Sequence, residues 1–175
     1  MGLFFYSPFL NKRGIMLKIN ILCVGKIKEK YWIDAIAEYS KRLSRYVTLN
    51  IIEVADEKTP DKASPAEEEQ IKNTEGKRIL EKLPEGTFAV ALCIEGKQMD
   101  SVGLSEFIDS KAAGGVSSIS FIIGGSLGLS KAVTDRADTK LSFSKLTFPH
   151  QMMRVILLEQ IYRAFRIINH EPYHK

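Results

Sequence analysis

The sequence has 175 residues, 45% of them hydrophobic and 26% charged, which is the length of one domain with enough apolar material to bury a core. Its formal charge is +4 and its pI is near 9.0, a mildly basic balance that admits a nucleic-acid partner without requiring one. No apolar run approaches the ~20 residues that span a bilayer, so a helical membrane protein is excluded and a cytoplasmic chain with no membrane contact is expected.

Residues 1–15 read as an upstream extension foreign to the fold. Phe4, Phe5, Tyr6, Phe9 and Leu10 form an apolar patch broken by Pro8 and followed by Lys12 and Arg13, the reverse of the order in a secretory signal. A periodic pattern begins only after Met16, which we take as the natural start of a single domain over 16–175. Lys18–Val24 has the continuous apolar run of a buried strand. Lys30–Arg45 places Ile33, Ile36, Ala37, Tyr39 and Leu43 at helical spacing, and Val47–Val54 is a β-branched strand. A charged loop through Pro60 leads to Pro65, which opens a helix whose first turn carries Glu67, Glu68 and Glu69 against the positive end of its dipole. That helix runs to Leu83 and stops at Pro84-Glu85-Gly86.

Next come an apolar strand over Thr87–Ile94, a helix over Val102–Ala113 and a strand over Ser118–Ile123. A short helix over Ser130–Arg136, a short strand over Lys140–Ser142 and the longest helix, Pro149–Ile168, complete the pattern. Alternating strands and helices predict an α/β fold, a mainly parallel sheet sandwiched by helices. Strands apolar throughout fit a sheet covered on both faces.

Charge is unevenly spread. Lys12–Arg45 carries nine Lys/Arg against three Asp/Glu, Glu53–Glu85 carries six against ten, and Lys140 to the end carries six against two. Two basic ends therefore flank an acidic middle. Lys26, Lys28, Lys30, Lys41, Arg42 and Arg45 can meet RNA phosphates, or serve solubility alone. Cys23 and Cys93 sit inside apolar runs without CxxC or histidine spacing, so inert buried thiols and no metal site are expected.

In open α/β sheets, ligands bind beyond the carboxyl ends of strands. Three such ends stand out: Glu95-Gly96-Lys97, Gly124-Gly125-Ser126-Leu127-Gly128, and Phe143–His150. The glycine loop lacks both the dinucleotide spacing and the phosphate-loop pattern, and by spacing alone it reads as a tight strand-to-helix turn sooner than as a ligand loop. The Phe143–His150 segment, with two aromatics, a lysine and two hydroxyls, can wall an aromatic base or be an ordinary connection with its Phe residues in the core. In the last helix, Met153, Leu157, Ile161, Ala164 and Ile168 form a stripe broadened by Val155, Leu158, Tyr162 and Phe165, so the helix is either central or faces a second copy of the chain. Glu159 and Arg163 form a favourable i,i+4 pair, whereas Arg154 has no local partner. The tail, Asn169 to Lys175, is rich in His and Tyr, which suits stacking or proton handling, but from the residues alone it reads as a frayed end.

The stretches KINILCVGKIKEKYW, FIIGGSLGLS and LSFSKLTFPHQMMRVILLEQIYRAFRIINHEPYHK together resemble the bacterial large-subunit ribosomal RNA pseudouridine N3-methyltransferases of the SPOUT class, over nearly all of Met16–Lys175. The resemblance implies a C-terminal trefoil knot, a homodimer, S-adenosylmethionine as methyl donor, and a pseudouridine in helix 69 of large-subunit rRNA in the assembled ribosome as substrate. Carried over by position, the cofactor contacts fall at Leu92, Gly124, Phe143, Ser144, Lys145, Leu146, Thr147 and Phe148. On the substrate side the expected residues are Arg154, to hold a phosphate or a uracil carbonyl, Tyr173, to orient the base, and His174, to move a proton, with His150 a second proton acceptor. Glu95–Ser105 follows the pattern less closely, which leaves Glu95 without an assigned role. Competing readings are a SPOUT-like enzyme acting on transfer RNA, a ribosome-binding factor without catalysis, and an enzyme of free nucleotides.

Overall fold

Beyond the carboxyl ends of a five-stranded parallel sheet, two connecting turns and a strand bulge come together. The computed structural model describes residues 16–173; the proposed extension over 1–15 lies outside the described residues. The elements in chain order are β1 Lys18–Val24, α1 Lys30–Leu43, β2 Thr48–Val54, α2 Pro65–Lys82, β3 Phe88–Gln98, α3 Ser101–Ala113, β4 Ser118–Ile123, α4 Lys131–Arg136, β5 Thr139–Ser142 and α5 His150–Ile168. The strand order is β2-β1-β4-β3-β5 with every pairing parallel.

Side chains alternate between the faces of a strand, so the continuous apolar runs feed two cores. Ile19, Ile21 and Cys23 of β1, with Val90 of β3 and Ile119, Phe121 and Ile123 of β4, join the core beneath α3 and α5. Leu22, Val24, Ala89 and Ile122 meet Ile79 of α2 and Val133 of α4 on the opposite face. Local chemistry sets the helix starts. Ser64 and Glu67 form a reciprocal capping box ahead of Pro65, and Asp100 accepts a 2.7 Å hydrogen bond from Gly103 N at the start of α3.

One expectation changes, and one open alternative finds support. The strand predicted to end at Ile94 continues to Gln98 as β3. Leu92 and Lys97 both pair with Leu141 of β5, so the residues between them are extruded from the ladder. Gly96 makes this possible, because a Cβ there would lie 2.5 Å from the Leu141 carbonyl carbon. The turn at Glu95-Gly96 is thus a bulge within a strand rather than a strand end. The broad apolar surface of α5 also has partners within the chain: the helix packs against both α1 and α3 as well as the sheet, burying Leu157, Leu158, Ile161, Tyr162, Ala164 and Phe165.

Candidate active site

A cavity of about 850 Å³ opens at the carboxyl ends of β3, β4 and β5, within the size range of small-molecule sites. The β3 bulge supplies Leu92, Cys93, Ile94 and Glu95, and the turn after β4 supplies Gly124 to Leu129. The segment joining β5 to α5 supplies the third wall with Phe143, Ser144, Leu146, Thr147 and Phe148, and the start of α5 adds His150.

Each wall has a local cause. At Gly124 a Cβ would stand 2.6 Å from the Gly128 carbonyl carbon, and Gly128 has φ +84°. The two glycines therefore let the turn fold back on itself, closed by a Gly125–Gly128 bridge. The β5–α5 segment is shaped by its hydroxyls: Ser142 Oγ donates to Ser144 O at 3.1 Å, and Leu146 N donates to Ser144 Oγ at 3.0 Å. Leu146 is left 70% exposed, an apolar side chain at the mouth of the cavity.

Of the expected cofactor residues, Leu92, Gly124, Phe143, Ser144, Leu146, Thr147 and Phe148 line the cavity together. Lys145 is exposed and is not among the lining residues. Cys93, read as a buried thiol, is only half-buried and lines the cavity; burial and then the nearby Glu95 push its pKa up. Cys23 is fully buried and its thiol is pushed up to about 11 by burial.

The substrate-side expectations are distributed differently. Arg154 is 1% exposed and has partners distant in sequence: its Nη1 donates to Glu53 Oε1 at 2.7 Å, and its Nη2 to Val24 O at 2.8 Å and Gly25 O at 2.6 Å. Its Nε is buried without a hydrogen bond. The guanidinium is thus enclosed by the ends of β1 and β2 and is not among the groups lining the cavity; as expected it has no partner on its own helix, its partners being distant in sequence. Tyr173 packs along α5, edge-on to Tyr162 at 5.1 Å between ring centroids, with its hydroxyl donating to Glu159 Oε1 at 3.3 Å. Arg163 holds the same glutamate at 2.6 Å, as its spacing predicts, and lies over the Tyr173 ring. Tyr173 does not line the cavity of its own chain. His174 lies outside the described residues.

His150 does line the cavity. Its pKa is lowered by burial and by the charge of Arg154, with Asp56 opposing, a shift that favours the neutral imidazole. Sequence reasoning missed Gly25, Glu53 and Asp56 on this side, because strand pairing alone brings the ends of β1 and β2 to α5. The site offers apolar and aromatic walls, close backbone, the His150 imidazole, the charged Lys72 and Glu95, and a Cys93 thiol whose raised pKa makes it a poor nucleophile. That set suits holding a flat heterocycle and aligning a reaction more than forming a covalent bond to the protein.

A family model described as a predicted SPOUT methyltransferase matches residues 17–174. The chain is 60% identical over 159 residues to the ribosomal RNA large subunit methyltransferase H of Bifidobacterium animalis subsp. lactis, covering 91% of this chain and 100% of that relative. It is 58% identical, with the same coverage, to the protein of that name from Clostridium beijerinckii. A probable methyltransferase from Bordetella pertussis Tohama I superposes with a TM-score of 0.52 at 12% identity, covering 85% of this chain and 95% of that one, a likeness of fold.

Proposed function

The chain belongs to the SPOUT methyltransferase family, and from that premise we propose that it methylates large-subunit ribosomal RNA, at N3 of a pseudouridine in helix 69, with S-adenosylmethionine as donor. The observation that carries this reading is the convergence of the β3 bulge, the glycine turn and the β5–α5 segment on one cavity within the matched region.

The residues fit such a donor. Leu92, Phe143 and Phe148 provide apolar walls for an adenine, and Gly124 admits close backbone approach because it has no side chain. When bound, the donor supplies an electrophilic methyl on a sulfonium that departs as a neutral thioether. Little charge then has to be stabilised on the leaving side. What remains for the protein is alignment, which can contribute ~7–11 kcal/mol, and removal of the weakly acidic N3 proton, which can add roughly 10²–10⁴-fold.

The reading includes a C-terminal trefoil knot, a cytoplasmic location and a homodimer. Tyr173 lies along α5 and does not line its own cavity, so Tyr173 and His174 would serve the substrate side in a second copy's site. In this reading Lys26 and Lys28, in the β1–α1 loop beyond the carboxyl end of β1, would meet rRNA phosphates.

The test is incubation of unmodified ribosomes, and separately of free transfer RNA, with methyl-labelled S-adenosylmethionine, followed by mapping of the labelled nucleotide. Label at one pseudouridine of large-subunit rRNA is expected. Label on transfer RNA alone, or none on either, would overturn the reading.

A further inference from the structure

The first turn of α5 places two residues of the same helix face against the end of β1. His150 and Arg154 are one turn apart and project to the same side. Arg154 bonds the carbonyls of Val24 and Gly25, while His150 Nε2 lies 3.8 Å from where a Cβ on Gly25 would stand. Gly25 has φ +81°, so it both makes the turn and leaves room for the imidazole. Glu53 Oε1 completes the arrangement, accepting from Arg154 Nη1 and, at 3.3 Å, from Ile27 N. One carboxylate oxygen thereby joins β2, the turn after β1 and α5.

We propose that Arg154 and Glu53 are positioning residues that hold His150 at the cavity wall as the proton acceptor of the methyl transfer. This rests on the proposed function. The N3 proton passes to an imidazole nitrogen, which becomes imidazolium. The N3 electron pair forms the new bond to the methyl carbon as the carbon–sulfur bond breaks and its electron pair returns to sulfur. The charged groups that face His150 are Arg154 on α5 and Asp56 after β2, with Lys72 of α2 and Glu95 of β3 also on the cavity wall. Burial first, and then the Arg154 charge, disfavour the imidazolium against the opposing pull of Asp56, which lowers the pKa in the direction of the neutral form that an acceptor needs.

The experiment reads the His150 ring proton by NMR against pH in donor-free protein, alongside the pH dependence of kcat on ribosomes. Arg154→Gln should move the His150 titration to higher pH. Glu53→Gln should move it to lower pH, because the arginine charge is then uncompensated. The acid limb of kcat should follow both shifts. His150→Gln should lose about 10²-fold or more in kcat with donor affinity retained. Arg154→Lys, which keeps the charge, should restore part of the Arg154→Gln loss. Should Arg154→Gln fold poorly, Glu53→Gln, at a partly solvated position, carries the same test. A His150→Gln enzyme with near-normal kcat overturns the inference while leaving the functional reading intact. So does an acid limb that stays in place in both variants. A wild-type protein that methylates no RNA ends the functional reading and the acceptor role together, although the NMR titration still reports whether Arg154 acts on His150.

Discussion

Arg154 and Glu53, 101 residues apart in sequence, meet in a 2.7 Å ion pair in which the arginine side chain is 1% exposed and the glutamate 33%. The pair fastens the start of α5, and with it the cavity segment just before that helix, to the ends of β1 and β2.

Removing one member of a buried pair leaves the other uncompensated, which costs about 3–5 kcal/mol. Glu53→Ala is expected to lower stability by that amount in urea unfolding, because it leaves the buried Arg154 charge uncompensated. Through the ion pair alone, Arg154→Ala should cost less, because water reaches the carboxylate it leaves behind. Equal and negligible losses would show that the pair does not hold the helix start.

Gly124 lies where a side chain cannot. A methyl group there meets the Gly128 carbonyl carbon at 2.6 Å and forces the turn outward. Gly124→Ala is expected to cost about 1–3 kcal/mol and to weaken S-adenosylmethionine binding about tenfold or more by calorimetry. Unchanged affinity would separate the turn from the donor site.

Glu75 is a buried carboxyl behind the glycine turn, accepting from Glu57 N at 2.9 Å. Burial, which dominates, and the neighbouring Asp56 and Glu57 raise its pKa against the opposing Glu57 N–H and Arg78. A folded-state pKa above the unfolded value means a contribution fully present below the unfolded pKa and lost as pH rises through the folded one. Glu75→Gln keeps an acceptor for Glu57 N and removes the charge. Its Tm should exceed that of the wild type at pH 7, and the gap should close as pH falls through the carboxylate range. A gap independent of pH would contradict the assignment.

The two thiols should differ in reactivity. Cys23 is sealed in the sheet, whereas Cys93 is partly accessible on the cavity wall. A maleimide is expected to label Cys93 and spare Cys23, faster as pH rises because both thiols titrate above their usual range, and more slowly with S-adenosylmethionine present. Labelling of Cys93 indifferent to the donor would place the donor elsewhere.

Tyr173 is held along α5 by Glu159, Tyr162 and Arg163 and does not line the cavity of its own chain. Deleting the last three residues should leave donor binding intact and reduce methyl transfer on ribosomes by about 10²-fold or more. Full activity would remove the tail from the substrate side.

The alternation of apolar runs with amphipathic stretches was enough to place all ten elements within a few residues, because burial on both sheet faces leaves a strong periodic record in β1, β3 and β4. The limit of local reasoning shows at Glu95-Gly96. A bulge and a strand end look alike in sequence, and only the pairing of Leu92 and Lys97 with the same Leu141 separates them. The three walls of the cavity were legible as glycine-rich or aromatic strand ends, whereas their convergence depends on the placement of β3 between β4 and β5. Arg154 illustrates the rest. Its i±3 and i±4 neighbours offer no carboxylate, and its true partner lies on β2, reached only through a parallel sheet.

A crystal structure grown with S-adenosylmethionine tests the central claim most directly. The account predicts the donor in the cavity between Gly124 and the Phe143–Phe148 segment, with its methyl group toward the His150 side. A donor lodged outside that cavity, or a saturated crystal with the cavity unfilled, would contradict it.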